Sequence, residues 1–163
     1  MGPRGRCRAA LAWTLVALSV AQPEARAMGL LSGSPPQDLG VQEGRLAPCR
    51  ETPNCVSSFA DPADAVHYVM PLQSRGDVLA AFAQLKDRVS AAERAAIVRS
   101  EPDYLRVEYT SRMLGFVDDL ELLLDRRESV IHVRSASRLG RRDFGVNRDR
   151  VESLRTWLAQ SGL

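Results

Sequence analysis

Apolar positions recur with helical spacing in two places and with a two-residue alternation in a third. Val78, Phe82, Leu85 and Val89 follow one another at steps of four, three and four, the stripe of an amphipathic helix. "SRGD" (Ser74 to Asp77) reads as a capping box, with Ser74 as N-cap and Asp77 reaching back. Val151, Leu154, Trp157 and Leu158 form a second stripe near the C-terminus. Asn147 suits the N-cap of that helix, Val146 and Val151 suit a hydrophobic staple, and Gly162 falls just past its end. "LRVEYTSRM" (Leu105 to Met113) alternates: Leu105, Val107, Tyr109 and Met113 take one face, Arg106, Glu108, Thr110 and Arg112 the other. Further strands are expected at "VHYVMPL" (Val66 to Leu72), "AAIVRS" (Ala95 to Ser100), "FVDDLELLLD" (Phe116 to Asp125) and "VIHVRSASRL" (Val130 to Leu139). "EPDY" (Glu101 to Tyr104) and "RRES" (Arg126 to Ser129) read as turns, and Gly115 as a turn or bulge. The order β-α-β-β-β-β-α predicts an α+β fold: an antiparallel sheet of about five strands with two helices packed on one face.

If "RRES" closes a four-residue hairpin, each opposed pair of numbers sums to 255. Leu124 then meets Ile131, Leu122 meets Val133, Leu120 meets Ser135, and Asp118 meets Ser137, all on the apolar face. On the other face Glu121 meets Arg134, a cross-strand ion pair, and Val117 meets Arg138. The hairpin is therefore apolar near its turn and polar away from it. A carboxylate at a core-facing position costs several kcal/mol unless it is paired or hydrogen-bonded. Ser135 and Ser137 are the expected donors to Asp118, with Arg112 or Arg138 as the neutralising cation. Two readings follow. Either the cluster ties the hairpin to the last helix, or it opens into a pocket for an anion or polar headgroup. Arg112, Asp118, Arg134, Ser135, Ser137, Arg138, Asn147 and Arg150 are the candidate ligand-binding residues of the second.

The N-terminus changes the charge argument. Arg4, Arg6 and Arg8 precede the apolar "LAWTLVALSVA" (Leu11 to Ala21), and "ARA" (Ala25 to Ala27) fits a small-x-small cleavage pattern. We expect residues 1–27 to be a signal peptide cleaved near Ala27, with the protein periplasmic or secreted. The full chain has 22 basic and 20 acidic residues; residues 1–27 hold four arginines and one glutamate, leaving 18 basic and 19 acidic. The basic balance thus lies in the export signal, so nucleic acid is not an expected partner. The apolar run is too short to span a bilayer stably, and the mature chain is expected to carry no transmembrane segment. Residues 28–47, with "SGSPPQDLG" (Ser32 to Gly40), read as an extended leader, and residues 48–163 as a single α+β domain.

After cleavage two cysteines remain, Cys49 and Cys55. An even pair in an exported chain points to a disulfide; Cys55 as a nucleophile or metal ligand is the alternative. His67 and His132 sit at no metal-motif spacing, so neither a metal nor another cofactor is expected. There is no Gly-x-Ser-x-Gly elbow and no phosphate-cradling glycine loop. No basic amphipathic helix supports insertion into a membrane.

Three segments, "CRETPNCVSS" (Cys49 to Ser58), "YTSRMLGFVDDLEL" (Tyr109 to Leu122) and "RSASRLGRRDFGVNRDRVESLR" (Arg134 to Arg155), together resemble the family catalogued as domain of unknown function 1499, found in bacteria and plant plastids. The resemblance runs from about Leu39 to the C-terminus. Arg50 stands where that family usually has proline. The resemblance marks Cys55, Ser57, Arg112, Asp118, Asp119, Arg134, Ser135, Ser137, Arg138, Asp143, Asn147 and Arg150 as motif members and implies no activity. The expectation is an exported bacterial protein that is more a non-enzymatic module than an enzyme, binding a polar or anionic ligand or an envelope protein. The alternatives are a small hydrolase-like enzyme using Asp118 or Asp119 with Ser137 or Cys55, and a structural or assembly factor of the envelope.

Overall fold

A computed structural model describes residues 31–162 of the chain, together with Gly2. The expected signal segment therefore lies outside the described residues, apart from Gly2. A small hairpin of β1 (Val41–Gln42) and β2 (Arg45–Leu46) comes first. The main sheet holds β3 (Cys55–Ser57), β4 (Leu72–Gln73), β5 (Ala95–Ser100), β6 (Tyr104–Thr110), β7 (Val117–Asp125) and β8 (Val130–Ser137). Its order is β3-β8-β7-β6-β5, and β4 pairs with β8 beyond the end of β3. Every strand pairing in it is antiparallel, and helices α1 (Val78–Ser90) and α2 (Val146–Gln160) complete an α+β fold.

The hairpin register is the one that the four-residue turn requires. Asp125 pairs with Val130 and the ladder runs without a slip to Asp118 and Ser137. One further step is marked by the Arg138 N–H, which donates to the Val117 carbonyl at 3.0 Å. The turn is held by the Asp125 carboxylate, which accepts from the Arg127 and Glu128 N–H groups. Leu105, Val107, Leu120, Leu122, Leu124, Ile131 and Val133 point from the sheet into the main core. Val78, Ala81, Phe82, Leu85 and Val89 of α1 and Val151, Leu154 and Leu158 of α2 meet them there, with Trp157 partly buried beside them. Each such aliphatic side chain contributes about 1.5–3 kcal/mol on full burial.

Several local expectations are corrected. Asp77, not Ser74, is the N-cap of α1: its carboxylate accepts from the Leu79 N–H at 2.8 Å, while Ser74 Oγ accepts from the Gly76 N–H in the preceding turn. The stretch from Val66 to Leu72 is not one strand. Asp64 takes the Val66 and His67 N–H groups into a turn, Tyr68 makes a single parallel bridge with Ser57, and Pro71 has no N–H to give, so antiparallel pairing with β8 begins only at Leu72. Asn147 is not the N-cap of α2. Gly145 occupies that position with φ 87°, and the Asp143 carboxylate takes the Gly145 and Asn147 N–H groups. Val146, expected to staple against Val151, is the first helical residue and stands exposed.

The back of the sheet is also covered. Residues 41–46, expected within an extended leader, form the β1–β2 hairpin, and Leu46 packs there with Tyr104, Leu123 and Phe59. Gly40, with φ 112°, donates its N–H to Glu121 Oε1 at 2.8 Å. A Cβ at this position would lie 3.2 Å from an Arg99 guanidinium nitrogen and would also be strained by the backbone angle. Cys49 and Cys55 form a disulfide, with Cα atoms 5.6 Å apart, that pins the loop entering β3.

Candidate functional site

The polar half of the β7–β8 hairpin separates into two networks, one on each face of the sheet. On the helix face the row Tyr109, Asp118, Ser137 lies one step out from Val107, Leu120, Ser135. Helix α2 starts over this end and brings Asn147 and Arg150 onto it. Arg150 Nη2 donates to Asp118 Oδ2 at 2.7 Å, and its Nη1 donates to Ser135 Oγ at 2.9 Å and to Asn147 Oδ1 at 2.7 Å. The same guanidinium lies 4.5 Å from the centre of the Tyr109 ring, a cation–π contact. Burial raises the Tyr109 phenol above its ordinary value, against the opposing pull of Arg150.

Asn147 is fully buried and is the centre of this network. Its Oδ1 accepts from Ser135 Oγ at 2.6 Å, and its Nδ2 donates to Ser137 Oγ, to Asp143 Oδ2 and to the Asn54 carbonyl. It thereby joins β8, α2 and the loop before β3. Burial pushes the Asp143 carboxyl up, but the hydrogen bonds from Asn147 and Gly145 outweigh it and hold the group below its ordinary range. The expected donors to Asp118 are thus corrected. Ser135 and Ser137 bond to Asn147, and the neutralising cation is Arg150, not Arg112 or Arg138.

On the back face Arg138 forks onto Asp119, with Nε 2.7 Å from Oδ2 and Nη2 2.9 Å from Oδ1, and also reaches Glu108. The hydrogen bonds that Arg138 donates to Asp119 and Glu108 raise its pKa further above the ordinary value. Arg134 donates to Glu121 Oε2 at 3.1 Å, and Glu121 Oε1 accepts from the Tyr104 hydroxyl at 2.7 Å and from Gly40. Burial first, and then the facing Glu121 carboxylate, push the Tyr104 phenol up. The expected Glu121–Arg134 pair exists, but within a sealed layer: Glu121 is 0% and Arg134 3% exposed.

The eight candidate residues therefore fall in three places. Asp118, Ser135, Ser137, Asn147 and Arg150 come together on the helix face. Arg134 and Arg138 belong to the back face. Arg112 lies in the exposed β6–β7 turn, with no ion pair or side-chain hydrogen bond among the described residues. Asp143, Tyr109 and Asn54 complete the helix-face network, and Tyr104, Arg106, Glu108 and Gly40 the back-face one. A cavity of about 20 Å³ lies between Arg50, Asn54, Cys55, Asp119 and Arg134. It has room for about one water molecule and not for a metabolite, whose sites run to about 300–1,000 Å³.

Neither arrangement pairs a nucleophile with a base. Ser135 and Ser137 contact an amide and a guanidinium, Cys55 is in the disulfide, and both aspartates are neutralised by arginine. The histidines are elsewhere. His67 Nδ1 lies 2.6 Å from Asp64 Oδ2. His132 Nδ1 lies 3.1 Å from Ser58 Oγ, and its ring stacks on Phe59 at 4.0 Å. Asp125, Glu128 and His132 place one potential ligand atom each within 4.8 Å of one another near the β7–β8 turn, a juxtaposition created by the turn and not by a metal-motif spacing. One Asp125 oxygen already holds the two turn N–H groups.

Fold and networks together define an α+β domain whose sheet carries a closed arginine–carboxylate network on each face. The chain belongs to the DUF1499 family of proteins of unknown function, whose family model matches residues 45–158. No curated protein and no solved structure matches it.

Proposed function

We propose that this chain is an exported, non-enzymatic module that binds an anionic or polar partner through its exposed arginines, with the two closed networks acting as scaffold. One observation carries the reading: Asp118, Asp119 and Glu121, the acids in the polar half of the closing hairpin, each have a guanidinium nitrogen within 3.1 Å. A carboxylate so engaged is a poor general base, and the adjoining cavity of about 20 Å³ does not admit a substrate. The N-terminal arginines, apolar run and "ARA" support export, and a disulfide in a small domain suits an oxidising compartment. Arg112, Arg141 and Arg142 are exposed and without an acidic partner among the described residues, as are Arg50, Arg75, Lys86, Arg88 and Arg127; the first three lie in the two turns that leave the polar end of the sheet.

A thermal-shift screen of the purified chain with phosphates, acidic metabolites and lipid extracts tests the binding reading. An anionic ligand should raise Tm, and the increase should shrink when Arg112, Arg141 and Arg142 are replaced by glutamine. If none of these additions raises Tm, the reading fails. Mass spectrometry of the chain after expression in an exporting host tests processing near Ala27.

A further inference from the structure

Two turns leave the sheet at the same end. Residues 111–116 join β6 to β7 beyond the Thr110–Val117 pair, and residues 138–145 leave β8 beyond Ser137, which faces Asp118. Each carries a large apolar side chain in solvent. Met113 is 91% exposed with Leu114 beside it, and Phe144 is 95% exposed. Phe144 also has φ 56°, a left-handed conformation that costs an aromatic residue and is taken elsewhere mainly by glycine or asparagine. Nothing in the fold is gained by putting a phenylalanine there. Solvated apolar side chains on two turns at one end of the sheet offer an interaction surface when a partner can take both tips.

The charges around these tips decide what they meet. Arg112 adjoins Met113, and Arg141 and Arg142 precede Phe144 by three and two positions; all three are exposed and unpaired among the described residues. Of the acids at this end, Glu93 pairs with Arg94 in the turn before β5 and Asp143 is turned onto the start of α2, while Glu51 and Asp149 stand exposed and are outnumbered by the three arginines. Isolated apolar side chains on turn tips, collared by arginine, match the interface of an anionic bilayer. The apolar side chains enter the acyl boundary while guanidinium groups stay at the level of the headgroup phosphates. A protein partner would be expected to need a broader continuous surface than two tips supply.

Resting on the anionic-partner reading above, we infer that the β6–β7 and β8–α2 turns form a peripheral membrane-docking end. Met113, Leu114 and Phe144 insert at the surface of an anionic lipid bilayer, and Arg112, Arg141 and Arg142 hold its phosphates. Docking of this kind is reversible, and salt weakens it by screening the arginines.

The test uses full-length Phe144→Trp protein and vesicles of phosphatidylcholine with or without phosphatidylglycerol. The unsubstituted protein supplies the emission of Trp13 and Trp157 for subtraction. The introduced indole reports on the turn itself, so contact made by the N-terminal apolar segment does not register as docking. Its emission should shift to the blue with phosphatidylglycerol vesicles and not with phosphatidylcholine alone. Each of Arg112→Gln, Arg141→Gln and Arg142→Gln should weaken the partitioning about fivefold. Met113→Ser should weaken it at unchanged Tm, since that side chain is 91% exposed. No blue shift with phosphatidylglycerol vesicles, or an equal shift with phosphatidylcholine alone, overturns the inference. If soluble phosphates still raise Tm through the three arginines, the broader binding reading survives that failure; if they do not, both fall.

Discussion

Arg150 on α2 places Nη2 2.7 Å from Oδ2 of Asp118 on β7, and this contact fastens the last helix to the sheet at its polar end. The two residues are 32 positions apart in the chain, so the pair forms only when hairpin and helix are docked. The Asp118 and Arg150 side chains are 14% and 12% exposed, which puts the pair near the lower end of the range for breaking a buried ion pair. Asp118→Ala should cost about 3 kcal/mol of unfolding free energy, read from the urea midpoint. A double-mutant cycle with Arg150→Ala should return a coupling well above the roughly 1 kcal/mol or less typical of surface pairs. A coupling near zero would mean that the network does not hold the helix.

Glu121 tests the opposite face. Glu121→Gln keeps the shape of the side chain but leaves the Arg134 charge buried without its counter-ion, and should cost about 3–5 kcal/mol. Replacing both, as Glu121→Leu with Arg134→Met, should restore part of that loss because no unpaired charge remains. Equal losses in the single and double variants would contradict this electrostatic account.

The Cys49–Cys55 bridge closes a short loop, so its effect on the unfolded chain is modest. Reduction by dithiothreitol should lower stability by about 2 kcal/mol without abolishing the fold. Complete unfolding on reduction would show that the bridge does more than shorten the unfolded ensemble.

His132 gives the stability a pH dependence of defined sign. Burial against Phe59 holds its pKa below the ordinary 6.5, with Glu128 and Asp125 pulling it up and Arg45 adding to the depression. The folded protein therefore binds fewer protons at this residue than the unfolded chain does. The His132 contribution is complete above pH 6.5 and is lost as the pH falls through 6.5 towards the depressed folded value. Urea midpoints measured about one pH unit above and one below that value should show a decrease in the wild-type protein that is smaller in His132→Gln. Equal decreases in both would assign the effect to other groups.

The sequence carried the closing hairpin almost completely. A four-residue turn and strict alternation fix which residues oppose one another, so the Asp118–Ser137 and Glu121–Arg134 pairings follow from counting. Both helices were legible from their apolar stripes. What alternation leaves open is what covers each face. Residues 40–46 have no hydrophobic period, and their role becomes visible only where Leu46 and the Gly40 N–H meet the back of the sheet. Strand β3 was missed because it is three residues long. Arg150 could not be assigned to Asp118 from sequence because the contact depends on where α2 docks. The N-caps failed for a local reason: Asp77 lies close to the equally suitable Ser74, and at α2 a left-handed Gly145 takes the cap position while the Asp143 carboxylate accepts the N–H of Asn147, which only the backbone and side-chain geometry reveals.

The Gly40–Glu121 hydrogen bond spans 81 positions, and Gly40 lies ahead of residue 45, where the family match begins. A fragment trimmed to that boundary would keep the matched span and lose the strap that closes the rear layer. Its Glu121 would lack one of its donors, and Leu46 would lose the other half of its hairpin. Ribosomal synthesis delivers the strap long before β7 exists, so its bond to Glu121 can form only once the intervening chain has been made.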